Sequence, residues 1–406
     1  MPTPAPEAGP PAGWIGRHPV TVIVLAQLFG TSLWFSINGV AVSLHRETGL
    51  TEAGLGLLTV GVQAGFITGT LLLAGTGLAD RVRASRLFAG AAVAGALVNA
   101  AFILTAHDLT LAWVLRFVTG LCLAGIYPLG MKLVVSWTPK HAGAALGWLL
   151  GMLTLGIALP HLLRGVTLDL PWQWPMAISS LLALLAAVMV RRLGDGPHLP
   201  ATAGAGRPWA GLGAFARRPF RAAALGYFGH CWELFAFWTL VPLLVLRELL
   251  RLEWPLPWLP WLAFAVIGVG AIGCVLGGRL SRRTGSLRVA RWALGISGTL
   301  CLVYPWLGHL PPAFLLLLLG LWGLTVIADS PQFTALASLS APRDRLGAAL
   351  AMMNAVGFAL TIPSIAVVTR LWPTQELAVL WLMLPGPVLG LWALGRVRAE
   401  DYVTRR

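Results

Sequence analysis

The chain reads as an all-α polytopic membrane protein: twelve transmembrane helices in two pseudo-symmetric six-helix bundles. Three observations carry that expectation. Of its 406 residues 57% are hydrophobic and only 11% charged, where a soluble globular domain carries about 25% charged residues. The Asp, Glu, Lys and Arg fall between apolar runs of roughly 20–28 residues, the length that crosses a bilayer. The two halves also repeat one another in order.

The repeat is visible in single residues. His18-Pro19 opens the first apolar run and Arg218-Pro219 the seventh, while Pro128 and Pro139 recur as Pro331 and Pro342. The loop from Gly77 to Arg83 is echoed by Gly277 to Arg283. Like-ordered landmarks at nearly constant offset indicate an internal duplication, a common construction in secondary transporters.

In chain order, residues 1–18 are expected as a disordered cytoplasmic tail, rich in Pro, Ala and Gly. The first bundle covers 19–190, with spans near 19–44, 53–77, 87–106, 109–136, 142–163 and 172–190. The first of these reads as a retained span, because many others follow it. Residues 191–218 have the Gly/Pro/Ala-rich, Arg-punctuated composition of a cytoplasmic linker. The second bundle covers 219–395, with spans near 219–246, 258–280, 287–307, 313–340, 346–370 and 376–395, and 396–406 is a cytoplasmic tail. Tryptophans such as Trp14, Trp137, Trp172, Trp258 and Trp372 sit near span ends, as an interfacial belt does.

The net charge of +14 is not a nucleic-acid signature. Along this alternation 22 of the 29 Lys and Arg lie on the side of the amino terminus and five on the other, with Arg116 and Lys132 inside a span. The positive-inside rule then puts both termini in the cytoplasm, and the high Arg and near absence of Lys point to a bacterial source, hence an inner membrane. Cys122, Cys231, Cys274 and Cys301 all lie in apolar spans with no CxxC spacing, so neither a disulfide framework nor a metal site is expected.

The stretch from Gly226 to Trp238 concentrates the chemistry. His230 and Glu233 stand three residues apart, on one helical face at bilayer depth. A carboxylate there costs roughly 2.5–3.5 kcal/mol on insertion scales and usually faces water and function; the alternative is a pair packed between helices. Glu233 is the expected proton carrier, since an acid screened from water can exchange its proton within the working pH range, and His230 the group that tunes it. Asp329, just before Pro331, is the second acid, in a helix whose backbone the proline disturbs. It is expected either in a wet site or holding a kink. No phosphate-binding loop and no Ser/His/Asp arrangement is present, so neither an enzyme nor a cofactor is expected.

The loop after the second span carries Asp80, Arg81 and Arg86, and the fourth span carries Arg116-x-x-x-Gly120. On these motifs, over about residues 18 to 395, the chain resembles the major facilitator superfamily (MFS). It departs from the family's loop pattern at Thr76 and Arg83, and its second half matches through Gly278, Arg283 and Gly285, with Arg282 in place of the acid. The resemblance implies a gating role for Asp80, Arg81, Arg86 and Arg283. It also implies a cavity lined by the first, fourth, seventh and tenth helices, hence candidate substrate or proton ligands Trp34, Asn38, Arg116, His230, Trp232, Glu233, Asp329 and Gln332. Arg116, Glu233 and Asp329 are expected to share one cavity, because unpaired charges in lipid are costly.

The function so implied is secondary active transport of a small organic solute by alternating access, coupled to protons as symport or antiport, by a monomer in the bilayer. Substrate class stays open. A lone cavity arginine fits an organic anion, while two acids and many aromatics fit a cationic or amphipathic compound. An uncoupled facilitator is the nearest alternative and a non-transporting sensor or assembly factor the one of another class. An intramembrane enzyme would need paired catalytic groups on facing helices.

Overall fold

The computed structural model describes residues 13–138, 142–198, 208–342 and 345–402. Pro139 and linker residues 199–207 lie outside them, as does the side chain of Asp80. Within them the chain is helical, and its twelve spans follow in order. The first is broken into Pro19–Thr31, Ser36–Gly39 and Ala41–Thr48. The second and third are Glu52–Thr76 and Ala84–Thr105. The fourth joins Leu109–Ala124 to Tyr127–Trp137, and the fifth and sixth are Ala142–Val166 and Gln173–Leu193.

In the second half the seventh span is Arg218–Arg251, and the eighth joins Trp258–Gly268 to Gly270–Thr284. The ninth is Ser286–Leu307, and the tenth joins Pro312–Val326 to Ser330–Ser340. The eleventh is Leu346–Gln375, and the twelfth runs as a 3-10 stretch, Glu376–Met383, into Pro385–Gly395. By length and apolarity alone eight stretches among the described residues suffice to cross a bilayer, Leu346–Gly395 counting as one. The first, seventh and ninth spans fall short by that measure yet are helical.

Local sequence explains where helices begin and end. The Thr51 hydroxyl accepts from Gly54 N, and Asp108 Oδ1 accepts from Thr110 N and Leu111 N, each satisfying orphan donors of a first turn. Pro19, Pro219, Pro312, Pro331 and Pro385 stand in the first turn of their helices, where no N–H is missed. Gly49 stops the first span in a left-handed conformation, φ 72°.

Packing repeats with an offset of six spans. The second packs on the fourth, the third on the sixth, and the first on the fifth and sixth. Correspondingly the eighth packs on the tenth, the ninth on the twelfth, and the seventh on the eleventh and twelfth. Between the halves run two seams, the second span against the eleventh and the fifth against the eighth. The glycines of the fifth span serve packing, with Gly156 against Leu28 and Thr31 and Gly151 near Ala271.

Several ends differ from the sequence reading. Trp14–Arg17 already forms a helical turn inside the expected amino-terminal tail. The seventh span continues past Leu246 to Arg251, because Glu248 binds both Arg247 and Arg251 and carries the charge in a closed cluster. The carboxy-terminal segment docks instead of trailing: Tyr402 is buried and its hydroxyl donates to Pro219 O (3.0 Å). Pro208–Ala216 forms a 3-10 strap on the eleventh and seventh spans.

Candidate functional site

The first, fourth and tenth spans are each interrupted near mid-depth, which frees backbone groups where side chains meet. In the tenth span the helix stops at Val326 and restarts at Ser330, with Pro331 in its first turn and Asp329 preceding it. The Asp329 side chain does not cap that helix and reaches the seventh span instead. There His230 Nδ1 lies 2.7 Å from Asp329 Oδ1, both residues being buried. The distance is that of an ion pair, although the ring N–H does not align along it, and Asp329 Oδ2 has no partner. Tyr227 stacks on the His230 ring and Phe333 lies tilted beside it.

Glu233 turns to other neighbours. Its Oε1 accepts from Trp322 Nε1 (2.8 Å) and its Oε2 from Ser297 Oγ (3.0 Å), so it ties the seventh span to the ninth and tenth. His230, three residues away, therefore pairs with Asp329 and not with Glu233.

Arg116 lies in the first half and reaches neither acid. One guanidinium nitrogen donates to Ser36 Oγ (3.0 Å) and Asn99 Oδ1 (3.2 Å), the other to Leu33 O (3.1 Å) and Trp34 O (2.6 Å). Those two carbonyls sit in the break of the first span and lack helical partners, so the fork of Arg116 closes that break. The expectation of one cavity shared by Arg116, Glu233 and Asp329 is thus corrected. Neutral acceptors on the same half take both terminal nitrogens of the arginine, only its Nε being without a partner, and each acid has its own neighbours.

Between the halves an aromatic layer closes the centre. Trp34 packs on Phe66 (4.8 Å between centroids), Phe66 on Phe358 (4.5 Å), Phe358 on Phe235 (5.3 Å) and Phe235 on Trp238 (5.3 Å). A cavity of about 600 Å³ opens toward the face of the termini, lined by Tyr127, Met131, Gly147, Arg279, Arg282 and Gln332 among others. A second, of about 490 Å³, opens toward the opposite face and includes Asn38, His161, Arg164 and Pro242. Tyr127 stacks on Phe66 at the inner edge of the first, and Pro242 lies one turn beyond Trp238 at the edge of the second.

A family model described as the Major Facilitator Superfamily matches residues 23–364. The chain belongs to the major facilitator superfamily. That makes it a membrane transporter of small molecules. Its fold is shared with the human organic anion transporter MFSD10 (TETRAN), at 15% identity over 93% of this chain and 99% of that one, TM-score 0.68. The nucleoside transporter NupG, as a point mutant, aligns at 11% identity over 93% and 98%, TM-score 0.72. A bacterial homologue of the human lysosomal transporter Spinster, inward-facing and occupied, aligns at 14% over 97% and 100%, TM-score 0.69. No curated protein sequence matches the chain.

Against this MFS frame the remaining candidates separate. Gln332 is buried at the cavity on the terminal face, and Asn38 at the one on the opposite face. Trp34 belongs to the aromatic layer and donates to Gln63 Oε1 (3.3 Å). Trp232 leaves the cavity altogether, because its indole N–H donates to Leu382 O (2.9 Å) and its face of the helix meets the eleventh and twelfth spans. Arg81, Arg86 and Arg283 are exposed at the terminal face, and among the described residues none of them forms an ion pair.

Sequence reasoning did not single out Phe66, Phe358 and Tyr127, which read as ordinary packing. Ser297 and Trp322, the partners of Glu233, were equally silent, since nothing local distinguishes them. The Arg247-Glu248-Arg251 cluster was legible in part. Its i, i+3 charge pair marks a helix that goes on past the apolar run.

Proposed function

We propose that this protein is a secondary active transporter that moves a small organic solute by alternating access and exchanges a proton through the His230–Asp329 pair. The observation that carries the reading is that pair: two titratable groups, 2.7 Å apart and buried, with one carboxylate oxygen left without a partner. A buried charge is tolerable when paired, and removing or adding one proton there changes the pair's net charge in a water-poor setting. The pair spans the seventh span and the broken tenth span, so its protonation acts on the hinge that Pro331 creates.

Glu233 is the second acid of this reading. Held by Trp322 and Ser297 on neighbouring helices, it positions the seventh span or takes the proton in another state of the cycle. Gln332, Asn38 and Trp34 are proposed as contacts on the solute's path, and Asp80, Arg81, Arg86 and Arg283 as the gate on the terminal face. The charge asymmetry of the loops supports cytoplasmic termini and a bacterial inner membrane. The halves rock about the two seams, as a monomer.

The test is proton movement in proteoliposomes holding a pH-sensitive dye, after a thermal-shift screen of metabolites and drugs at about pH 5.5 and about pH 7.5 has supplied a solute. Proton flux on solute addition, lost in Asp329→Asn, supports coupling. Solute transport with no proton flux in the parent protein would establish the uncoupled facilitator instead.

A further inference from the structure

The cavity on the face opposite the termini carries charge where the topology makes it scarce. Only five Lys or Arg lie on that side: Arg46, Arg164, Arg247, Arg251 and Arg370. Arg247 and Arg251 share the carboxylate of Glu248 and donate to the carbonyls of Gly308 and Leu310, so both guanidiniums are engaged. Arg46 and Arg164 both line the one cavity of about 490 Å³. Asp169 is the single acid lining it and forms no ion pair with either. Glu47, the neighbour of Arg46, is turned away: its carboxylate accepts from Trp172 Nε1 (2.7 Å) and Gln173 Nε2 (3.3 Å). Arg46 is exposed and Arg164 half-buried, so an anion entering this cavity meets two arginine side chains that its one acid does not bind.

The floor of the cavity carries the second observation. His161 and Asn38 are both buried to within 2% exposure, and both leave a polar atom without a partner, Nε2 of His161 and Oδ1 of Asn38. Their juxtaposition is built in. A Cβ on Gly39 would come 2.6 Å from the Pro160 carbonyl carbon, so the break in the first span nests against the fifth only because residue 39 is glycine. Buried polar atoms ordinarily find partners; here both residues with an unpartnered atom line the cavity. Its other walls, from Pro242, Leu246 and Leu259 among others, are apolar. The volume is within the range of small-molecule sites.

We propose that this cavity is a capture site for an amphipathic organic anion, whose acidic head is held by Arg46 and Arg164 while its apolar body lies on the proline and leucine wall and a polar substituent reaches His161 and Asn38. The inference rests on the transporter reading and gives it a substrate class. It assigns the anion to this outer arginine pair and not to Arg116, whose guanidinium is already taken by four acceptors.

The experiment is equilibrium binding to the purified full chain with a size-matched series: 2-naphthoate, 2-naphthalenesulfonate and 2-naphthyl phosphate against neutral 2-naphthylmethanol and cationic 2-naphthylmethylamine. At least one anion is expected to bind about tenfold more tightly than the neutral and cationic members, as charge-assisted pairing demands. Arg46→Gln should remove about that factor, and Arg370→Gln, outside the cavity, should leave binding unchanged. Arg164 also donates to the carbonyls of Thr167 (3.0 Å) and Leu170 (2.8 Å), so its loss risks the local fold. Arg46 has no such duty and is the decisive site. Equal binding across the charge series, binding insensitive to Arg46→Gln, or no binding by any of the three anions overturns the proposal. Because binding is read without transport or proton flux, this outcome is independent of whether the coupling proposal stands.

Discussion

Replacing Arg116 by Met separates a structural arginine from a substrate ligand. The substitution keeps apolar bulk and removes four donated hydrogen bonds, to Ser36, Asn99, Leu33 O and Trp34 O. Polar contacts between membrane helices average about 0.6 kcal/mol, so four of them set a floor near ~2.4 kcal/mol. Leaving Trp34 O without a donor, while Leu33 O keeps the Ser36 hydroxyl (3.2 Å), adds a penalty of about 1–3 kcal/mol. The expected loss is therefore about 3–5 kcal/mol, on the order of 5–10 °C in the unfolding midpoint. The assay is thermal unfolding in detergent, followed by tryptophan fluorescence. Arg116→Lys should fall between, because one ammonium cannot reproduce the fork. A midpoint unchanged or raised by Arg116→Met, as expected when a charge is removed from a binding site, would refute the assignment.

Further outcomes follow from the same geometry. Gly39→Val should destabilise the protein by about 2 kcal/mol or more through overpacking on Pro160, read in the same unfolding assay. Trp322→Phe keeps the stack on Phe237 (4.6 Å) but strips Glu233 of one donor, so a stability loss of about 1–2 kcal/mol is expected, and Glu233→Gln in that background should recover part of it. Phe66→Ala removes the closest contact of the aromatic layer, its 4.5 Å pairing with Phe358, and should raise passive leak of a small dye across proteoliposomes. Tyr402→Phe removes the hydrogen bond to Pro219 O and should cost about 1 kcal/mol while speeding proteolysis of the carboxy-terminal segment.

Most of the spans were legible from apolar length, the first, seventh and ninth being the ones that it alone does not reach, and the repeat was legible because prolines mark helix starts. Asp329 and His230 were legible as buried ionisable groups, since lipid makes any such group conspicuous. Which groups pair was not legible. His230 is equally spaced to meet Glu233 along its own helix, but the break before Pro331 brings Asp329 within 2.7 Å and releases Glu233 to Trp322 and Ser297. Arg116 shows the same limit more sharply. Its partners include two carbonyls, which no residue type announces, exposed by an interruption at residues 32–35 with no proline in it. The anion cavity was divided among Asn38, Arg46 and His161–Arg164, more than a hundred residues apart in the chain, so only the fold could assemble it.

The segment that joins the halves is anchored at both ends. Asp195 accepts from Ser85 N (2.7 Å) and His198 N donates to Ser136 O (3.1 Å), so residues up to 198 move with the first bundle. From Pro208 the strap lies on the second bundle, Gly211 abutting the backbone of Ala348. Between these two anchors lie ten steps of chain, from His198 to Pro208, which covalent geometry limits to about 33–36 Å at full stretch. A linker that looks nearly thirty residues long therefore acts mechanically as a much shorter cord. In the rocking motion proposed above, that length bounds how far the two bundles can part on the terminal face.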